Sequence, residues 1–199
     1  MTINSKAKGS KFERDVAKAI SLQISGGKRE DMAWRTASSG GRFTQALSRG
    51  VHHQTNAGDI SATSPLSYKI LSNYVIECKH YKTIDYRKWL LYRKGIVAEW
   101  LEKVESEAKT CYETRAEANE SEDQTIIPVL ILKENNQPIC VIVSLLTHSP
   151  IPKLLTRVYK IFAWDTFLEL FTVPEKLLEY PTITVEFPQT NWHNSSEDQ

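Results

Sequence analysis

Hydrophobic positions recur at helical spacing in some stretches of this chain and alternate with polar ones in others, and the order of those stretches outlines a fold. Between residues 9 and 24, Phe12, Val16, Ala19, Ile20 and Gln23 fall three and four apart, the period of one helical face. Ser10 followed by Glu13 reads as a capping box that opens this helix. Gly26 and Gly27 close it. Residues 32–36 form a candidate short strand. The stretch 37–58, rich in Ser, Gly, Gln, Asn and His, lacks apolar periodicity and reads as a long loop. Residues 58–62 begin a strand, and Ser64-Pro65-Leu66-Ser67 reads as a turn. Residues 73–79 then alternate, with Tyr74, Ile76 and Cys78 on one face and Val75, Glu77 and Lys79 on the other.

Farther along, Val97, Trp100, Leu101, Val104 and Ala108 predict a helix over 96–118. Its opposite face, with Lys103 and Glu107, reads as solvated. An acidic, polar stretch over 113–123 ends in a loop. Strands are predicted at 126–132 and 138–145 around a hairpin turn, Glu134-Asn135-Asn136-Gln137. Ser149-Pro150-Ile151-Pro152 breaks the chain, with a short helix expected near Lys153. A strand at 159–164, a helical turn at 167–171, a last strand at 182–187 and a polar tail from His193 complete the pattern. No internal repeat is visible. Helix, strands, helix, strands in that order imply an α/β or α+β domain with a central mixed sheet.

Composition adds limits. At 199 residues, 41% hydrophobic and 25% charged, the chain suits one soluble domain with an ordinary core. No apolar run approaches the roughly 18–20 residues needed to cross a bilayer. The start, MTINSKAKGSKFERD, has no apolar signal region. Cys78, Cys111 and Cys140 are odd in number and widely spaced, so they suit a reducing cytoplasm rather than a disulfide framework or a zinc site. Charge is uneven: residues 1–94 carry 17 Lys and Arg against 7 Asp and Glu, net +10, whereas residues 95–199 carry 8 against 17, net −9. A basic half suits a polyanion such as nucleic acid, although an uneven solvated surface gives the same count.

The candidate chemistry lies in the strands. Glu77 and Lys79 are two apart and project together beside apolar Val75. Asp59, at the start of a neighbouring candidate strand, can bring a second carboxylate to Glu77. Two carboxylates and the Cys78 carbonyl are hard oxygen donors of the kind Mg²⁺ takes, with Mn²⁺ a natural substitute. Lys79 can orient or deprotonate a water, or offset charge on a phosphate. Glu13 would help to fill a two-metal variant. Each residue has an ordinary alternative: Glu13 as a capping partner, Asp59 as a turn residue, Glu77 and Lys79 as a surface ion pair, and the Cys78 side chain as core.

Together, Gly58-Asp59, Glu77-Cys78-Lys79, the first-helix run Lys8-Gly9-Ser10-Lys11-Phe12-Glu13-Arg14 and the Arg35 to Arg42 segment resemble the PD-(D/E)XK nuclease superfamily. Within it, the chain looks most like Holliday-junction resolvases of the archaeal and phage type. The resemblance implies a restriction-endonuclease-like α/β core, a central mixed β-sheet flanked by helices. It also implies a Mg²⁺-dependent endodeoxyribonuclease whose catalytic roles fall on Glu13, Asp59, Glu77 and Lys79. Arg35 with Ser39-Gly40 matches a family loop pattern, which puts Ser38 or Ser39 at a phosphate. Gly58 stands where many members have proline. A nuclease domain over 1–190, with insertions at 80–94 and 109–125, would precede the tail at 191–199.

The basic residues Arg35, Arg42, Arg49, Lys82, Arg87, Lys88, Arg93 and Lys94 are candidate phosphate contacts. Tyr81, Tyr86, Trp89 and Tyr92, interleaved with the later ones, could stack on unpaired bases or pack against the domain. His52 and His53 are adjacent and suit a phosphate or loop contact better than a shared metal. His80 follows Lys79 and could approach substrate. Junction DNA and a two-fold homodimer are the expected partners. The alternatives are a restriction-like or recombination-associated nuclease acting on linear DNA, a non-catalytic DNA-binding module of the same fold, and a protein-interaction domain using the acidic helix.

Overall fold

The computed structural model of the chain describes residues 5–36, 57–117, 125–145 and 156–188. Most of the predicted long loop, the predicted helix near Lys153 and the polar tail lie outside them. Helix α1, Ser5–Ile24, starts ahead of the predicted boundary. Ser10 is therefore interior to the helix and does not cap it, and Glu13 is no capping-box partner. The helix ends at Gly26 and Gly27, whose φ values of 61° and 83° take the left-handed conformation that glycine adopts without a steric cost. The Gly27 N–H donates to the Leu22 carbonyl at 2.7 Å.

Strands β1, Ala33–Arg35, and β2, Ile60–Ala62, pair antiparallel, with Arg35 opposite Ile60. The predicted turn at Ser64 is instead the start of helix α2, Pro65–Leu71. Ser64 and Ser67 form a reciprocal capping box and Pro65 fills the first turn, where its missing N–H costs nothing. Seven residues are too few for apolar periodicity to declare such a helix. Strand β3, Tyr74–Tyr81, follows, then α3, Tyr86–Tyr92, capped by Asp85. Long helix α4, Ile96–Glu117, leads to β4, Ile127–Glu134, and β5, Cys140–Ser144. The remainder is β6, Thr156–Ala163, α5, Trp164–Phe171, α6, Pro174–Glu179, and β7, Ile183–Pro188.

The main sheet has five strands in the order β3-β4-β5-β6-β7. Strands β3 and β4 run parallel, and the other pairs are antiparallel. A parallel pair needs a crossover, and α3 with α4 supplies it. Because helices cover both faces, β4 is buried from Ile127 to Leu132 rather than alternating between core and water. On one face Ile76, Cys78, Val129 and Ile131 pack with Phe12, Val16 and Ile20 of α1 and with Phe167 and Phe171 of α5. On the other, Leu130, Leu132 and Ile142 meet Val97, Trp100 and Leu101 of α4. Val75, beside Glu77, meets Val104 and Ala108 of the same helix. The chain thus has a restriction-endonuclease-like α/β fold, a mixed sheet flanked by helices, with β3 at the sheet edge.

Candidate active site

The edge position of β3 decides how Asp59 is held. In a strand the N–H and C=O of alternate residues point to the same side, and β4 takes only one side. On the outer side the Ile76 carbonyl accepts the Asp59 N–H at 2.6 Å. Two residues on, the Cys78 N–H donates to Asp59 Oδ2 at 2.8 Å. The Asp59 carbonyl accepts from the Thr36 N–H at 2.8 Å, tying the segment to the end of β1. Asp59 is 4% exposed. Its carboxylate is therefore fixed at one height along β3, level with the Glu77-Cys78 peptide. The Cys78 carbonyl lies on this same outer edge.

Gly58 makes the approach feasible. Its φ is 72°, and a Cβ built on it would sit 2.5 Å from the Ile76 carbonyl oxygen. Its N–H donates to Glu107 Oε2 at 3.2 Å. Proline, with φ locked near −65° and no N–H, satisfies none of these conditions. The departure from proline at this position thus has a local cause.

Glu77 is 1% exposed and projects toward α4. Its Oε1 receives hydrogen bonds from the ammonium groups of Lys79 and Lys103, the second at 2.8 Å. Lys103 also pairs with Glu107 at 3.5 Å. Sequence reasoning missed these two α4 residues. They stand one turn apart, like any solvated pair, and only the passage of β3 beneath α4 gives them partners. Glu77 Oε2 is buried with no hydrogen-bond partner among the described residues.

The electrostatics follow from that crowding. Burial, then the neighbouring Glu77 carboxylate, pushes the Asp59 carboxyl up to about 7, against the pull of the Cys78 N–H and the Lys79 charge. Glu107 is also raised, first by burial. Burial lowers Lys103, but the hydrogen bond and charge of Glu77 outweigh it and the net shift is upward. Burial and the charge of Glu77 thus disfavour an ionised Asp59 in this desolvated corner.

The remaining predicted residues divide. Glu13 lies on α1, where its Oε2 accepts from Arg35 Nε at 2.8 Å. It contributes to the field at Asp59 but less than Glu77 does. Among the described residues, no three acidic, His or Cys groups converge as one cation site. Both Glu77 and Glu13 thus act on Asp59 electrostatically, Glu77 the more strongly. The Cys78 side chain is core, and burial drives its thiol well upward. Lys82, Arg87 and Lys88 are exposed beyond β3. Trp89, predicted as a possible stacking platform, is 2% exposed and packs edge-on against Tyr159. Tyr81 leans on Trp100, and Tyr92 is open. The segment 80–94, read as an insertion, contains α3. Ser38, Ser39, Arg42, Arg49, His52 and His53 lie outside the described residues. No described helix is long and apolar enough to cross a membrane.

Comparison with known proteins bears on this geometry. The model of the family described as "Phage putative PDDEXK endonuclease" matches residues 4–190. No curated protein and no solved structure gives a significant match. A match over nearly the whole chain agrees with an acidic residue pinned beside a strand that carries Glu77-Cys78-Lys79, and the chain belongs to this phage PDDEXK endonuclease family.

Proposed function

We propose that the chain hydrolyses DNA phosphodiester bonds with a divalent cation of the Mg²⁺ type held by Asp59 and Glu77. The observation that carries this reading is the burial of both carboxyls within electrostatic reach of each other, with Glu77 Oε2 left without a partner among the described residues. PDDEXK nucleases generally use divalent metals, and the donors here suit one in kind. Two carboxylates and the Cys78 carbonyl are oxygen ligands, and Mg²⁺ keeps waters and phosphate oxygens for its other positions. Bound there, the ion would offset charge building on the phosphoryl oxygens and acidify the attacking water.

The protein's own groups do the rest. The Cys78 N–H fixes the Asp59 carboxylate. Lys103 and Glu107 are positioning residues: one holds Glu77 Oε1, the other anchors Gly58 ahead of Asp59. Lys79, shared with Glu77, orients the water or meets a scissile phosphate oxygen. Glu13, held by Arg35 through Oε2, would add a third carboxylate in a two-metal variant. Arg35, Lys82, Arg87 and Lys88, with Ser38, Ser39, Arg42 and Arg49, would grip phosphates. A phage nuclease of this kind would work in the host cytoplasm.

Within that reading we favour branched DNA as substrate and a two-fold dimer as the cutting unit, on the resemblance to junction resolvases. The test is cleavage of a synthetic four-way junction beside linear duplex, nicked duplex and single strands, with and without Mg²⁺. Paired, symmetric cuts in the junction are expected. Equal cutting of linear duplex would instead support the restriction-like alternative, and binding without any cleavage the non-catalytic one.

A second expectation concerns pH. The folded Asp59 carboxyl lies at about 7, above its ordinary 3.8, so the folded chain keeps a proton that the unfolded chain releases. Metal-free stability should therefore fall as pH rises between those values, with the full penalty present above them. Cation binding needs the carboxylate. The gain in Tm from saturating Mg²⁺ should be small well below pH 7 and level off above it. Asp59→Asn should flatten both trends. Melting curves across pH, with and without Mg²⁺, check this, and a Mg²⁺ gain independent of pH would contradict it.

A further inference from the structure

On the sheet face opposite Glu77, a cavity of about 280 Å³ opens between α1, the end of β3, β4 and the start of α5. Lys8 and Lys11 reach it from successive turns of α1, and His80 and Lys133 from paired positions on β3 and β4. Phe12 and Trp164 supply aromatic walls. Among the described residues, Asp15 is the one acidic residue in the lining.

Phe12 and Trp164 also border the core, whereas the Lys8 and Lys133 amines hold only neutral groups of the β4–β5 turn. Lys8 donates to the neutral side chain of Asn135, and Lys133 to the Gln137 carbonyl at 2.6 Å. Among the described residues, none of Lys8, Lys11 and Lys133 is in a salt bridge. Three ammonium groups facing one carboxylate repel one another and favour an incoming anion. His80 lies low through burial and then the charge of Lys8, and it meets Phe12 edge-on at 5.5 Å. Trp164 is braced on one side by Phe167, with ring centroids 6.0 Å apart.

We propose that this cavity binds a single nucleotide unit, its phosphate on Lys8, Lys11 and Lys133 and its base against Trp164 and Phe12. The assignment rests on DNA being the substrate and specifies what the protein grips: one unpaired nucleotide. Size decides between forms of DNA. The cavity, at about 280 Å³, lies just below the usual size of ligand pockets, roughly 300–1,000 Å³, and so suits one base with its phosphate rather than a duplex. Phosphate-binding amines beside an aromatic platform are the combination that holds single strands without reading sequence. An unpaired nucleotide occurs at a branch point, at a frayed end or free in solution.

Calorimetric titration of the full chain in EDTA tests the assignment, because it needs neither metal nor cleavage. The probes are thymidine 5′-monophosphate, thymidine, inorganic phosphate and a short oligothymidylate. Saturable binding of the monophosphate or the oligonucleotide is expected, with thymidine and phosphate each about tenfold weaker or worse. Trp164→Leu should weaken binding about tenfold, the range of one base on one ring. Lys11→Ala, at an exposed helix position, should weaken it severalfold with an unchanged melting curve. Tighter binding of the oligonucleotide than of the monophosphate assigns the cavity to a DNA strand. Equal binding assigns it to a free nucleotide. Phosphate binding as tightly as the monophosphate, or titrations that neither variant alters, would overturn the proposal. That result leaves metal-dependent cleavage untouched. Conversely, loss of the cleavage reading leaves nucleotide binding measurable.

Discussion

Asp59→Asn should lower the rate of DNA cleavage by about a thousandfold or more, roughly 4 kcal/mol of lost transition-state stabilisation. The substitution is nearly isosteric. The Asn carbonyl oxygen can still accept the Cys78 N–H that now bonds Oδ2 at 2.8 Å, so the fold should persist. What disappears is the negative charge of one of the two buried carboxyls proposed to hold the cation. Glu77→Gln should act similarly, with the added effect that Lys79 and Lys103 lose their shared anion. DNA binding should be kept or tightened in both, because a negative charge facing the phosphates is gone. Cleavage rates beside binding curves and melting curves separate these effects. A variant that folds, binds DNA and keeps more than a tenth of the parental rate would remove its residue from the catalytic set.

Gly58→Ala should destabilise the protein by about 3 kcal/mol, a large loss for a single added methyl group. Left-handed backbone alone costs an L-residue about 1–2 kcal/mol. Here the new Cβ would also meet the Ile76 carbonyl oxygen at 2.5 Å, and backbone cannot swing aside as a side chain can. Relief requires Gly58 to retreat from β3, and Asp59 with it. Cleavage should therefore fall beyond what stability explains. Gly95→Ala is the internal control: its φ is also positive, at 91°, but its new Cβ would touch only the flexible Lys88 side chain, at 3.0 Å. Denaturant melts of the two variants isolate the cost of the close approach. Equal destabilisation would mean that backbone conformation alone accounts for it.

Much of this arrangement is readable from the residues in order. Strict alternation over residues 73–79 places Glu77 and Lys79 on the face opposite Cys78, and β3 has that arrangement. Helix α4 and the β4-β5 hairpin follow from periods long enough to be unambiguous. What escapes is short or tertiary. Helix α2 is declared by its caps, and α6, also missed, by Pro174 in its first turn, neither of them by apolar spacing. Trp89 sits among basic residues, so its burial against Tyr159 depends on a strand seventy positions away in the chain. Lys103 and Glu107 have the signature of a solvated pair, and the Glu13–Arg35 contact joins two elements whose docking no local pattern encodes. Local periodicity records which face a residue takes but not what stands opposite.

The hydrogen bonds that hold Asp59 have a consequence for solubility. An edge strand with free N–H and C=O groups is a template on which another chain can add a strand, and proteins commonly guard against it with charge or a covering loop. Along β3 the Ile76 carbonyl and the Cys78 N–H, the groups a foreign strand would need, are both taken by Asp59. One buried aspartate thus blocks the middle of this edge of the sheet against strand addition, and a substitution with no acceptor at that position would expose it.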